Sequence, residues 1–294
     1  MSRSSASVTL GIIFGNWATV AGVGILVAFF VLSALAAWPP TYHLVARYPP
    51  DSLNFGAANA PPSLSHLFGT DREGRDVFAR VVAALPIDIA IPFEVVGASV
   101  AIGLSLGTFA GYLGGWIEEL VLRVADLFFA FPNIVLALTI AAILGSTQES
   151  LRVVYSELAL IVVGWPFYTR LARAQVIMIK QMPFVRAAEA SGLGKFRIVR
   201  THVIPHLASV IAVYATLDMG TTLLLYSIFA FFGLGVAPPT PELGRMVYDG
   251  LSALPGNWWW SFFPGLVLMI LALGFSLAGE GLRDVFDPRL RGQR

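Results

Sequence analysis

The sequence predicts an all-α integral membrane protein with six transmembrane helices and both termini in the cytosol. Three observations carry that prediction. Charge is scarce: 13% of the 294 residues are Asp, Glu, Lys or Arg and 56% are hydrophobic, with a mean hydropathy of +0.75. A soluble domain carries roughly a quarter charged residues. Six stretches are apolar enough, at or near the roughly 20 residues that a spanning helix needs: 17–38, 87–112, 120–144, 156–171, 207–236 and 262–282. Finally, an inside N-terminus puts thirteen of the 19 basic residues on the cytosolic side and six outside, as the positive-inside rule asks.

Taken in order, residues 1–16 read as a cytosolic lead into an uncleaved first helix, 17–38, since no small-residue cleavage site precedes the apolar run. Residues 39–85 form an external loop, rich in Pro and Asn, whose four Arg balance Asp51, Asp71, Glu73 and Asp76. Residues 86–282 form a five-helix core with a cytosolic segment at 173–206, and 283–294 a cytosolic tail. The 156–171 stretch is the weakest span, because Gly164-Trp165-Pro166 interrupts it. Gly103, Gly107, Gly111 and Gly115 recur every four residues, so one helix face lets a second backbone approach closely.

Composition excludes several classes of function. A net charge of +1 gives no pull toward nucleic acid, and the absence of cysteine removes disulfides, thiolate metal sites and cysteine nucleophiles. His43, His66, His202 and His206 show no metal-ligand spacing, and Pro205 is expected to break the helix that would align the last two. No H-E-x-x-H, G-x-S-x-G or phosphate-loop motif occurs, so no catalytic residue or metal ligand is assigned.

The cytosolic segment FVRAAEASGLGKFRIVRTHVIPH (184–206) is the most informative stretch. Pro183 suits a first helical turn, the alanines favour helix, and Gly192 permits a chain reversal. A second short helix should follow and stop before Pro205. Attraction to anionic lipid headgroups would explain the Arg and Lys, yet needs neither Gly192, Pro205 nor the small residues Ala187, Ala188 and Ala190. Those suit a helix that docks in a protein groove.

The segment resembles the EAA loop of bacterial ABC-importer permeases: Arg186-Ala187-Ala188, Gly192 and His202-Val203-Ile204-Pro205 keep its spacing, with Arg186 in place of Glu and His202 in place of Ile. HLFGTDREGRDVFARVV (66–82), GYLGGWIEELVLRVADLFFAFP (111–132), WPFYTRLAR (165–173), FFGLGVAPPTPELGRMVYDG (231–250) and GEGLRDVFDPRLR (279–291) are similar, in order, to C-type subunits of the dipeptide, oligopeptide and nickel family. The resemblance implies a type I ABC-importer permease fold in the bacterial cytoplasmic membrane. It implies partners: a second permease subunit, two ATPase subunits that hold ATP and Mg, and an external substrate-binding protein. No cofactor would be bound by this chain. It also implies that Arg186, Ala187, Ala188, Glu189, Gly192, Lys195 and Pro205 couple to the ATPases. Dipeptides, longer peptides, nickel chelates, glutathione-like molecules and opines are all open as solutes.

Beside that resemblance stand readings from the residues. Gly69, Asp71, Gly74, Arg75 and Asp76 form an external motif, read either as a structural clamp with Thr70 or Asp71 as helix cap, or as a contact for a delivery protein. Trp258, Trp259 and Trp260 read as an interfacial belt. Asp88, Glu94, Arg123, Asp126 and Asp218 are ionisable residues within spans and so functional candidates. Arg123 and Asp126 have the spacing of an ion pair. Asp218 is read as lining the translocation pathway or as a helix-to-helix hydrogen bond. Tyr226 stands where related permeases carry an acid and is the second pathway candidate. An intramembrane enzyme or lipid-modifying protein using Asp88, Asp126 or Asp218 is the rival class, separated by whether the chain purifies active alone.

Overall fold

The computed structural model describes residues 16–145 and 151–286; the expected cytosolic lead and most of the tail lie outside them. Among the described residues the regular structure is helical, apart from one isolated bridge between Thr70 and Asp76.

Helix α1 (Trp17–Ala37) starts where the Asn16 side chain accepts the Ala18 N–H at 3.0 Å, and ends before Pro39-Pro40. Asn16 also donates to Asp284 at 3.0 Å, tying the start of the first helix to the end of the last. After a single turn, α2 (Pro39–Tyr42), the chain runs irregularly to Asp76. Helix α3 (Val77–Leu113) then spans 37 residues, starting before the expected loop boundary at 85. Its cap is Asp76, which accepts the Ala79 N–H at 2.7 Å, rather than Thr70 or Asp71. At 1.5 Å per residue it is about 55 Å long, well beyond a hydrocarbon core of about 30 Å, so it projects from the bilayer.

The expected span 120–144 is two helices, α4 (Gly115–Phe129) and α5 (Asn133–Gly145), whose axes differ by 85°. Pro132 supplies the break, since it lacks an N–H and disfavours helical geometry at Phe131. Conversely, α6 (Arg152–Lys180) carries Pro166 without interruption, so Gly164-Trp165-Pro166 does not divide it. Then follow α7 (Pro183–Ala190), α8 (Lys195–Ile198), α9 (Ile204–Phe231), α10 (Leu243–Leu251) and α11 (Trp259–Phe286). Among the described residues four helical stretches are long and apolar enough to cross a membrane: α1, α3, the run Lys195–Phe231 and α11. The bent α4–α5 pair makes a fifth.

Close packing of α3 on α6 holds the centre. A Cβ on Gly103 would lie 2.5 Å from Tyr168 Cβ, one on Gly107 2.3 Å from Thr169 O, and one on Gly111 3.0 Å from Arg173 O. Any side chain there forces two backbones apart. Gly115, expected as the fourth member, has φ +64 and opens α4 facing nothing, so the seam has three members. Around it lie three buried clusters: Leu26, Leu85, Leu271 and Phe275 between α1, α3 and α11; Tyr168, Val176, Val185, Ile198 and Leu207 at the α7 end; and Ile91, Val95, Leu160, Tyr226 and Phe229 between them.

Candidate functional site: an exposed helix–Gly–helix segment and the Asp218 cavity

Helix α7 rests on the bundle through Val185, which is fully buried, while Arg186, Ala187, Glu189 and Ala190 are exposed and Ala188 is partly buried. The small-residue face expected to be covered is therefore open in this chain. Gly192 takes φ +77, where a Cβ is disfavoured. The Gly192 N–H bonds to Glu189 O at 3.0 Å and the Leu193 N–H to Ala188 O at 3.2 Å, the paired bonds of a Schellman helix end.

Beyond the turn, Pro205 does not end a second helix. Residues Val199–Val203 form a π turn, the Ile204 N–H reaches back to Val199 O, and Lys195–Phe231 runs as one helical stretch. The wider turn absorbs the N–H that Pro205 cannot give. So His202 and His206 do share a face: His206 Nδ1 lies 3.1 Å from His202 O, and both rings stack on Phe184, at 4.9 Å for His206. Lys195 is exposed at the head of this stretch.

Tyr112, braced by Lys180, anchors α7. The Tyr112 hydroxyl donates to Glu189 at 3.0 Å, and Lys180 donates to Tyr112 O at 2.8 Å with its ammonium 5.1 Å from the Tyr112 ring. Glu189 is thus held by the end of α3. Nearby, Arg173 of α6 grips Glu118 of α4 at 2.7 Å. Arg123 and Asp126 do not pair with each other. Arg123 meets Glu119 one turn back, and Asp126 turns to Arg170 of α6, whose guanidinium lies 4.4 Å from the Phe129 ring.

At the opposite end, the 69–76 motif is a clamp. Both indole N–H groups, of Trp259 at 3.1 Å and Trp260 at 2.7 Å, donate to the Thr70 carbonyl. Gly69 must be Gly, with φ +73 and a Cβ position 2.7 Å from Trp259. Asp71 accepts the Arg75 side chain at 2.6 Å and the Glu73 and Arg75 N–H groups at 2.9 Å; Gly74 closes that turn at φ +74. Asp76 lies 2.8 Å from His66, and buried Arg80 reaches Asp51 at 2.8 Å and Pro239 O at 3.1 Å. Trp259 and Trp260 are therefore buried and hydrogen-bonded, and among the three tryptophans Trp258 alone is exposed as a belt residue would be. A cavity of about 660 Å³ lies between this motif and residues 238–252.

Two polar centres lie deeper. Glu242, which sequence reasoning passed over, is fully buried and caps α10, accepting the Gly244 and Arg245 N–H groups at 2.8 and 2.7 Å. The signal was an acid directly before a helical run, in Pro-Glu-Leu-Gly. Asp88 accepts the Leu243 N–H at 3.2 Å beside it. Asp88 Oδ1 is buried without a hydrogen-bond partner. Burial pushes the Glu242 carboxyl above its ordinary range. Tyr226 is fully buried near this pair, its hydroxyl without a hydrogen bond. Asp218 lies elsewhere: its Oδ2 accepts the Tyr168 hydroxyl at 2.7 Å, and it lines a cavity of about 370 Å³ with residues of α3, α6 and α9. The structure brings Asp218 to a cavity and places Tyr226 outside its lining. Among the described residues no cluster of His, Asp or Glu could hold a metal.

The described residues thus form a helical bundle with four apolar helical stretches, a bent fifth pair and an exposed helix–Gly–helix segment. Residues 103–292 match the model of the binding-protein-dependent transport system inner membrane component, and the chain belongs to that family. Curated relatives agree. A dipeptide transport system permease protein, DppC, of Alkalihalophilus pseudofirmus is 37% identical over 91% of this chain and 84% of its own length. A probable D,D-dipeptide transport system permease protein, DdpC, of Escherichia coli K12 is 33% identical over 95% and 90%. A glutathione transport system permease protein, GsiD, of Escherichia coli O157:H7 is 34% identical over 91% and 85%. The chain is thus a non-catalytic translocation subunit of an ABC transporter in the bacterial inner membrane.

Proposed function

We propose that this chain is one of two permease subunits in an ATP-driven importer of peptides or similar small solutes. Six spans cross the membrane, α6 being the sixth: its 29 residues are long enough, and its ionic ends lie beyond the apolar middle. The N- and C-termini and the 173–206 segment face the cytosol; the 69–76 motif faces outward, toward a binding protein that delivers the solute. Two ATPase subunits, which carry ATP and Mg, hold the open face of α7 and Lys195. Pro205 lies where the docking segment passes into α9. This chain binds no cofactor; lipid surrounds it, and nucleic acid has no part. Asp218 lines the pathway.

The observation that carries this reading is the continuity of Lys195–Phe231, which joins the docking segment to the helix bearing Asp218. From Lys195 to Asp218 is about 35 Å along one helical stretch. Closure of the ATPases on the exposed end is converted to movement of the pathway wall without an intervening loop. Substituting Gly192→Val tests it. The β-branched residue opposes φ +77, so the α7 turn is misplaced and ATP-driven uptake is lost in reconstituted vesicles. Retained uptake with normal ATPase binding would refute the coupling role.

A further inference from the structure

We infer that the cavity at Asp218 receives the ammonium group of the transported solute, an inference that rests on the permease reading above. About 370 Å³ of space lies where α3, α6 and α9 meet the bend between α4 and α5. Its walls mix aliphatic and aromatic side chains, the rings of Phe129, Phe167 and Tyr214 among them, with the uncharged polar groups of Ser99, Asn133, Thr221 and Thr222, and among the described residues Asp218 is the one charged residue in its lining. A carboxylate at this depth is costly unless it meets water or a cation. The Tyr168 hydroxyl satisfies one oxygen and orients the group, and no Lys, Arg or His pairs with Asp218 among the described residues.

A second feature of the same wall points to a guest. Ser99, on α3, lines the cavity at 2% exposure, and its hydroxyl has no hydrogen-bond partner. Gly164 lets the hydroxyl pack closely against α6: a Cβ there would lie 2.8 Å from Ser99 Oγ. An ammonium has three N–H donors and no acceptor. The cavity offers it a carboxylate, an unused hydroxyl and aromatic faces, which attract cations. Its volume is at the small end of ligand pockets, about 300–1,000 Å³, so it suits one end of a solute rather than a whole peptide. A solute carboxylate would be repelled by Asp218, so the amino end is the end it selects.

The test uses the purified transport assembly in phosphatidylcholine nanodiscs and two small probes of one shape, n-butylammonium and n-butanol. Ligand-observed saturation-transfer NMR, with empty discs subtracted, should show n-butylammonium binding about tenfold more tightly than n-butanol, as expected for a charge-assisted hydrogen bond. In Asp218→Asn the preference should vanish, and in Tyr168→Phe it should weaken without vanishing. Equal binding of the two probes to the native assembly, or an undiminished preference in Asp218→Asn, overturns the inference. If the variant does not assemble, the ratio in the native assembly decides. The pathway reading is tested separately, by labelling Thr221→Cys from outside with a charged methanethiosulfonate during turnover. Labelling without a probe preference sinks the ammonium site alone, and absence of labelling sinks the pathway reading.

Discussion

Tyr112 donates its hydroxyl to Glu189 across 3.0 Å, joining the last turn of α3 to helix α7. The contact makes Glu189 part of the chain's own frame rather than a free acid offered to a partner. Arg186, on the exposed side of the same helix, is the charge left to face outward.

Removing that bond should loosen coupling more than folding. A hydrogen bond to a charged group contributes about 1.5–3 kcal/mol at most, and less where water replaces it. Tyr112→Phe should therefore shift the unfolding temperature little, while ATP hydrolysed per solute imported rises. A thermal scan with paired hydrolysis and uptake assays checks both; an unchanged ratio would assign the bond to stability alone.

The α3–α6 seam should tolerate no side chain. With 2.3 Å between a Cβ at Gly107 and Thr169 O, Gly107→Val should cost about 3 kcal/mol or more through separated backbones. Gly97→Ala, in the same helix with nothing within 4 Å, should stabilise by up to about 1 kcal/mol. Denaturation of the two variants in lipid discs distinguishes seam from helix propensity.

The Thr70 carbonyl should show non-additive behaviour, because it accepts from both Trp259 and Trp260. Either indole replaced by Phe should cost about 1 kcal/mol, since the other still satisfies the oxygen. Replacing both leaves it buried and unpaired, so the double variant should lose more than the sum of the singles. A double-mutant cycle in thermal unfolding measures this.

The buried Glu242 should make stability fall as pH rises. Burial raises its folded-state proton affinity above the unfolded value, so the native state binds more protons across that window and the slope of stability against pH is negative. The loss begins above the ordinary value of about 4.3. Glu242→Gln keeps an acceptor for the α10 cap and removes the Glu242 titration, so its profile should be flatter above that pH. A profile as steep as the native one would place the titration elsewhere.

Which parts of this were legible in the sequence follows from the range of the forces involved. Apolar runs and glycine spacing are local signals, and they marked the four apolar helical stretches, the bent α4–α5 pair and three of the four seam residues. The turn at Gly192 was legible because only one conformation there suits Gly and no Cβ. The break at Pro132 and the passage through Pro205 were not, since a proline sets what the backbone loses but not what replaces it. At Phe131 nothing compensates and the axis turns by 85°; at Pro205 a π turn does. Nor could the sequence show that Trp259 and Trp260 share an acceptor about 190 residues away. Arg123 and Asp126 had the right spacing for each other, but Glu119 and Arg170 were better placed. Asp218 was legible as an ionisable residue in a span, whereas its cavity comes from five helices meeting.

The central claim is that the open face of α7 lies against an ATPase subunit, and site-directed cross-linking tests it most directly. The native chain has no cysteine, so Ala187→Cys introduces a unique thiol on that face, and Leu64→Cys one at the opposite end, where Leu64 is 98% exposed. In membranes holding the whole assembly, a short bifunctional thiol reagent should join Ala187→Cys to an ATPase subunit bearing surface cysteines, and Leu64→Cys to none. Equal cross-linking from both positions, or none from Ala187→Cys in an assembly that still transports, would contradict it.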